Sequence, residues 1–497
     1  MLARRCFSSA AASLPPTIRQ LLATPPSAPT AAIQINGWVK SIRRQKKVAF
    51  AVISDGSSEP GLQAVFTDVT LAKHLTNGAS VRLRGTLTDS PGAGQAKELQ
   101  VAEAEVLGEC DPETYPMQKQ ALTTEYLRDH CHLRARTREI GAMLRLRDST
   151  TRAIHDYFHN NGFIHVHTPI ITSNDCEGAG ETFRIAPSSD LSPATPSSQN
   201  ATSPTTHSQA PSEYFNHPAY LTVSSQLHLE AVAAAISRVY TLSPCFRAER
   251  SQTSRHLAEF WMLEAEWAFT SSVADLCAVV EGALRHVLRA HASSADMDAL
   301  WRAKKGPEAS RREQLAALAD APQPWARMTY TEAVRVLAEH HAKTGAFVFP
   351  PEWGKGLQSE HERWLAEEHV RGPVFVTDYP ASLKPFYMRA NPTDAVTDAD
   401  GGASGPTVAC FDLLVPGVGE LVGGSLREER LELLEAAIER HGLAKADYAW
   451  YLDLRRYGGA PHGGFGLGFE RLISWMSGIE SVRECVAMPR WAGRMLL

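Results

Sequence analysis

Residues 246–267 read FRAERSQTSRHLAEFWMLEAEW. Four basic side chains, Arg247, Arg250, Arg255 and His256, stand among four carboxylates, Glu249, Glu259, Glu264 and Glu266, in a segment too apolar for a solvated charge run. The alternation predicts a strand, a polar turn SQTSR and a second strand. Residues two apart share a face of a strand, so Phe260, Met262, Glu264 and Glu266 point the same way. An ordinary charged hairpin lies on the surface laced with ion pairs. Large flanking aromatics point instead to a buried anion site. A second block, GGFGLGFERL at 463–472, strengthens that reading with a glycine-rich strand running into a helix that carries Arg471.

Composition narrows the classes. A chain of 497 residues exceeds one compact core, so two or more domains are expected. A formal charge of -5 excludes a generally basic nucleic-acid coat, and any RNA contact must use local basic patches. The 8 cysteines show neither CxxC nor zinc-type Cys/His spacing, which predicts reduced, scattered thiols. No apolar run reaches membrane-spanning length, so no membrane partner is expected.

Taken together and in order, the motifs resemble class II aminoacyl-tRNA synthetases. FRAE with RHLAEF and the downstream GLGFERL are similar to that family's second and third motifs, and HTPII around Pro169 to its first. The finer resemblance is to the asparaginyl enzymes of the aspartyl, asparaginyl and lysyl subgroup. It rests on DCEGAGE at 175–181, LTVSSQLHLE at 221–230, FDLLVPGVGELVGGSLREER at 411–430 and WYLDLRRYGGAPHGGFGLGFERL at 450–472. The joint occurrence of these blocks is specific where a lone GxGxxR would be weak. An α+β fold is implied: an N-terminal OB-type β-barrel followed by a catalytic domain with an antiparallel sheet flanked by helices.

The domain pattern follows. Residues 1–30 are rich in Arg, Ser and Ala, and the first acidic residue is Asp55, the composition of a mitochondrial transit peptide and tail. RCFSS suggests processing near Phe7 or Ser8, or somewhat later, and the expected location is the mitochondrial matrix. Residues 31–110 alternate as five short strands, a closed barrel that the resemblance assigns to the anticodon. Arg43 belongs to a basic run between the first two strands; Phe50 could stack a base and Gln63 hydrogen-bond one. Residues 111–135 read as a hinge and 136–497 as the catalytic domain. Within it, 187–212 is a Ser/Thr/Pro-rich insertion expected to be disordered, and 391–406 a flexible loop. A helix over 138–160 ends at Asn161-Gly162, and the resemblance places a homodimer interface on it.

The resemblance implies ATP-dependent ligation of L-asparagine to tRNA(Asn) through an adenylate. Arg247 and Arg471 would be catalytic. Arg247 would hold the α-phosphate and substrate carboxylate, Glu249 the adenine amino group, and Arg255 and His256 the outer phosphates. Phe260 and Arg471 would sandwich the adenine. Glu177 with Ser224 and Gln226 would bind the α-amino group, while Glu264 accepts from the side-chain amide and Arg427 donates to it. Leu229 stands where aspartyl enzymes carry a lysine, which favours asparagine. Asp412 and Glu420, on either side of the turn PGVG, would hold Mg²⁺ with the ATP. Two departures stand out: Ser225 replaces the family's glycine, and ECVAMPR replaces its usual ending while keeping Arg490. The alternatives are an aspartyl-type or non-discriminating ligase, a class II-like asparagine synthetase, and a catalytically inactive RNA-binding paralogue.

Overall fold

The computed structural model describes residues 14–23, 32–92, 95–118, 120–173, 181–187, 213–302, 304, 307–392 and 405–497. Glu177, most of the insertion 187–212 and most of the loop 391–406 lie outside the described residues. The chain divides into two compact units, Met1–Arg145 and Leu146–Leu497.

The first unit is a closed five-stranded barrel in the order β1-β2-β3-β5-β4, with β1 Ile33–Arg44, β2 Ala49–Ser54, β3 Leu62–Phe66, β4 Ser80–Asp89 and β5 Lys97–Gly108. Alternation fills it: Ala49, Ala51 and Ile53 of β2 point inward with Leu62, Ala64 and Phe66 of β3. Phe50 and Gln63 fall on the opposite, outer face. Register sets Arg43 directly across from Phe50, and Gln63 diagonal to it through the pairs Phe50 with Val65 and Val52 with Gln63. The basic run divides here: Arg43 is exposed, whereas Arg44 donates to the carbonyls of Ala72, Lys73 and Leu75 and is thereby structural.

The segment read as leader and tail also contributes to this unit. Ile18–Ala23 is a short helix whose Ile18 is 1% exposed in the barrel core, with its N–H donating to Asp55 Oδ2 at 2.8 Å.

The second unit is built on an eight-stranded sheet ordered β12-β13-β14-β15-β16-β11-β10-β6. Its strands are β6 Ile164–His165, β10 Arg238–Phe246, β11 Glu259–Ala268, β12 Ala326–Thr329, β13 Val374–Thr377, β14 Cys410–Val415, β15 Gly419–Leu426 and β16 His462–Gly468. A small sheet β7-β9-β8 comprises β7 Ile171–Thr172, β8 Arg184–Ile185 and β9 Ala219–Leu221. The large sheet is antiparallel through its centre, as expected, and mixed at its two edges, where β6 with β10 and β12 with β13 pair in parallel. Those parallel edges follow from helical crossovers, which short hairpins cannot supply. Helices Gln226–Ile236 and Phe469–Ser477 pack on β11, and Val273–Ala290 on β14, β15 and β16. The helix over Arg138–Asn160 matches its sequence reading, and Gly162, at φ +75°, turns the chain after it.

Six cysteines are free thiols among the described residues. No described helix is long and apolar enough to cross a membrane.

Candidate active site

The site grows from the strand register. Glu264 lies opposite Gly466, Gly466 opposite Gly423, and Gly423 opposite Asp412. Directly opposed residues project to one face. A floor of glycine therefore separates Glu264 from Asp412 by three strand spacings, about 14 Å. A Cβ on Gly423 would stand 3.4 Å from both Asp412 Oδ1 and Glu420 Oε1, and one on Gly464 only 2.1 Å from Glu266 Oε2. Glycine at 423 in β15 and at 464 in β16 thus supplies room for the carboxylates beside them.

Over this floor lies a cavity of about 460 Å³. Its lining includes Arg247, Glu249, Arg255, His256, Phe260 and Arg471 at one end, with Ser224, Gln226, Glu264 and Arg427 at the other. Asp412 and Glu420 border it as well. Every candidate of the catalytic unit within the described residues is thereby brought together.

At the arginine-rich end the ion pairs are long. Arg247 Nη1 stands 3.9 Å from Glu249 Oε1, its guanidinium 5.4 Å from the Phe260 ring centre, and His256 Nε2 3.3 Å from Glu249 Oε2. Burial lowers the His256 pKa, against the pull of Glu249 and with the help of Arg471, Arg255 and Arg247. Arg255 donates to Ser359 at 2.6 Å and faces Glu362 at 3.6 Å. Phe260 is half-buried on the cavity wall, so it is not a core aromatic.

Asp412 and Glu420 occupy the two strands of one hairpin, β14 and β15. Neither pairs with Arg427: Lys384 Nζ reaches both oxygens of Asp412, at 2.8 and 3.1 Å, and Arg471 lies 3.5 Å from Glu420. Burial raises the Asp412 carboxyl against the pull of Lys384, while Arg471 and then Lys384 outweigh burial and hold Glu420 below the ordinary value. The nearby Glu362 is raised by burial and by Glu420. Hard carboxylate oxygens gathered beside arginines suit a divalent cation that arrives with a phosphate chain.

The other end is closed and tightly bonded. Glu264, 3% exposed, accepts from the Ser224 hydroxyl and from the Ser225 N–H at 2.9 Å. Ser225, at φ −90°, sits in ordinary backbone, so glycine is not required there. Its hydroxyl accepts from Thr168 at 2.8 Å and meets Ser243 at 3.2 Å, which accommodates the extra oxygen. Arg427 donates to Glu266 through Nε at 3.1 Å and Nη2 at 2.8 Å, and to Ser425 through Nη1 at 2.7 Å.

The family now follows. Residues 123–492 match the model of tRNA synthetases class II (D, K and N), and residues 33–107 that of the OB-fold nucleic acid binding domain. This chain belongs to the class II tRNA synthetases. It is 45% identical to an asparagine–tRNA ligase of Thermosynechococcus vestitus over 93% of this chain and 96% of the relative, and 43% identical to the asparaginyl-tRNA synthetase of Mus musculus over 94% and 91%. The structure of the Pyrococcus horikoshii asparaginyl-tRNA synthetase, complexed with asparaginyl-adenylate, superposes with a TM-score of 0.77 at 30% identity, covering 93% of this chain and 96% of the other.

Several participants in this synthetase site escaped the sequence reading. Lys384 stands in LKPF with no neighbouring charge to mark it. Glu230, Arg455, His462 and Tyr451 all lie within quoted motifs, but the contacts of Glu230 with the other three span 221 to 232 positions of sequence. Alternation placed Glu266 on the right face; nothing local revealed its partner.

Proposed function

We propose that this class II synthetase ligates L-asparagine to tRNA(Asn) in the mitochondrial matrix, acting as a homodimer with ATP and Mg²⁺. The observation that carries the assignment is the pairing of an acceptor, Glu264, with a donor edge, Arg427, at one end of a cavity whose other end is lined by arginines. A carboxamide presents N–H donors and a carbonyl acceptor, which that pair complements, whereas a side-chain carboxylate meets the charge of Glu264. The reaction named for the relatives above is the one this arrangement supports.

In the first step an oxygen of the asparagine α-carboxylate attacks the α-phosphorus of ATP, and the bond to pyrophosphate breaks. Arg247 holds both anions, since a planar fork suits each. Phe260 and Arg471 flank the adenine, Glu249 accepts from its amino group, and Arg255 and His256 hold the outer phosphates. Asp412 and Glu420 would hold Mg²⁺, which when bound supplies charge neutralisation on the phosphate oxygens. Ser224 and Gln226, together with Glu177, bind the α-amino group. In the second step the 3′-hydroxyl of the terminal adenosine attacks the acyl carbon, AMP leaves, and one proton is released.

The barrel face of Arg43, Phe50 and Gln63 receives the anticodon. Helix Arg138–Asn160 forms the subunit contact, and the Arg-rich, acid-free N-terminus directs import. Because Ile18 belongs to the barrel core, processing must fall before it. Charging of a tRNA(Asn) transcript with labelled asparagine tests the activity; charging by aspartate instead would mark an aspartyl-type ligase. N-terminal sequencing of the organellar protein tests the location, and retention of Met1 would contradict it.

A further inference from the structure

Beneath Arg427 lies a buried ionic layer that the ligation chemistry does not use. Glu230, 1% exposed, receives Arg455 Nη2 at 2.8 Å, the Tyr451 hydroxyl at 2.7 Å and His462 Nε2 at 3.0 Å, while its other oxygen stands 3.8 Å from Arg427 Nε. Glu266, also 1% exposed, takes Arg427 side-on through Nε and Nη2. The guanidinium packs 5.4 Å from the Tyr387 ring centre.

A guanidinium has five N–H donors. Three are committed here, two to Glu266 and one to Ser425, so one N–H on each terminal nitrogen is left for the cavity. Both Glu266 oxygens accept, so an O–H there would confront donors alone and the group is held as a carboxylate. Its charge matches that of Arg427 across about 3 Å. Such a paired guanidinium offers hydrogen bonds with little net field, which suits a neutral amide oxygen. An unpaired one would draw a carboxylate instead. Burial pushes the Glu266 carboxyl up, against the pull of Arg427 and with the help of Glu230, so it is the contact of both its oxygens with guanidinium donors that keeps it charged. On the partner side Glu266 and then Glu230 outweigh burial and raise Arg427 above the ordinary arginine value, and Arg455, His462 and Arg427 hold Glu230 well below the usual carboxylate range. Glycine at 464 is what leaves space for the Glu266 carboxylate on the adjoining strand.

We propose that Glu266, backed by the Glu230, Arg455, Tyr451 and His462 layer, is a positioning and specificity residue: it neutralises Arg427 and turns its end edge toward the substrate amide, so that the enzyme rejects aspartate. The proposal rests on the reading in which Arg427 and Glu264 face the side chain.

Glu266→Gln keeps the volume and removes the charge. In ATP–pyrophosphate exchange it should lower kcat/KM for asparagine and shift the aspartate-to-asparagine ratio toward aspartate by about tenfold, with the KM for ATP unchanged. A merely structural role would depress both amino acids alike, and an unchanged ratio overturns the proposal. Should that variant fail to fold, Glu230→Gln removes the second carboxylate of the same layer; it must shift the ratio in the same direction, and no shift there overturns the proposal equally. Wild type and Glu264→Gln, measured alongside, separate the two levels. If wild type prefers asparagine and Glu264→Gln erodes that preference while the Glu266 ratio stays fixed, this proposal fails alone. If wild type responds to aspartate only, the underlying reading fails first.

Discussion

The two ends of the cavity are built on opposite principles. At the Arg427 end the side chains of Arg427, Glu266, Glu230 and Arg455 are 0 to 3% exposed, and their closest ion pairs are 2.8 Å. At the phosphate end those of Arg247, Glu249, Arg255 and His256 are 20 to 37% exposed, and their ion pairs are 3.3 to 3.9 Å long. The first set is fixed before substrate arrives, as discrimination between near-isosteres demands, because an orphaned buried partner is costly. The second set is joined by longer, more solvated ion pairs, as suits groups that regroup around a polyanion. On the proposed reading, selectivity belongs to the stiff end and affinity for the triphosphate to the soft one.

Replacing Arg427 by Ala should break the comparison most severely. It removes the amide donor and orphans Glu266, costing about 3 to 5 kcal/mol of stability. We expect a large drop in thermal midpoint together with loss of asparagine-dependent exchange; an unchanged midpoint would show that the stiff end is not stiff. At the soft end Arg247→Ala should reduce exchange by about 10²- to 10³-fold with little change in the midpoint, since its ion pair with Glu249 is long and partly solvated. His256→Ala should do less, raising the KM for ATP about tenfold. A stability loss in either variant comparable to that of Arg427→Ala would erase the distinction.

A smaller effect is read from pH. Because Glu230 titrates below the ordinary carboxylate value, the stability it adds is fully present above about pH 4.3, its unfolded value, and is lost as pH falls through the folded one. The stability difference between wild type and Glu230→Gln should therefore be constant from neutral pH to about pH 5 and shrink only in stronger acid. Smallest of all, Ser225→Gly should cost about 1 kcal/mol or less and leave selectivity alone, since the backbone there needs no glycine and only one hydroxyl's bonds are lost.

Legibility in the sequence followed the range of the interaction. The barrel strands, the hairpin from Phe246 to Trp267 and the glycine-rich strand are local patterns of period two punctuated by turns, and they stand where alternation put them. The soft end was equally legible, because Arg247, Glu249, Arg255, His256 and Phe260 share one hairpin. Lys384 and the layer below Arg427 were not, for their partners come from strands and helices far apart in the chain, and a buried glutamate with a partner reads the same as one without. The parallel edge strands were missed for a related reason: β6 is two residues long, too short to show any period.

The central claim is that Glu264 and a neutralised Arg427 select asparagine. ATP–pyrophosphate exchange on wild type and Glu264→Gln, with asparagine or aspartate as the sole amino acid, tests it most directly. Wild type should exchange with asparagine and not aspartate, and Glu264→Gln should lose that preference while its KM for ATP stays put. Wild-type exchange stimulated by aspartate and not by asparagine would contradict the account.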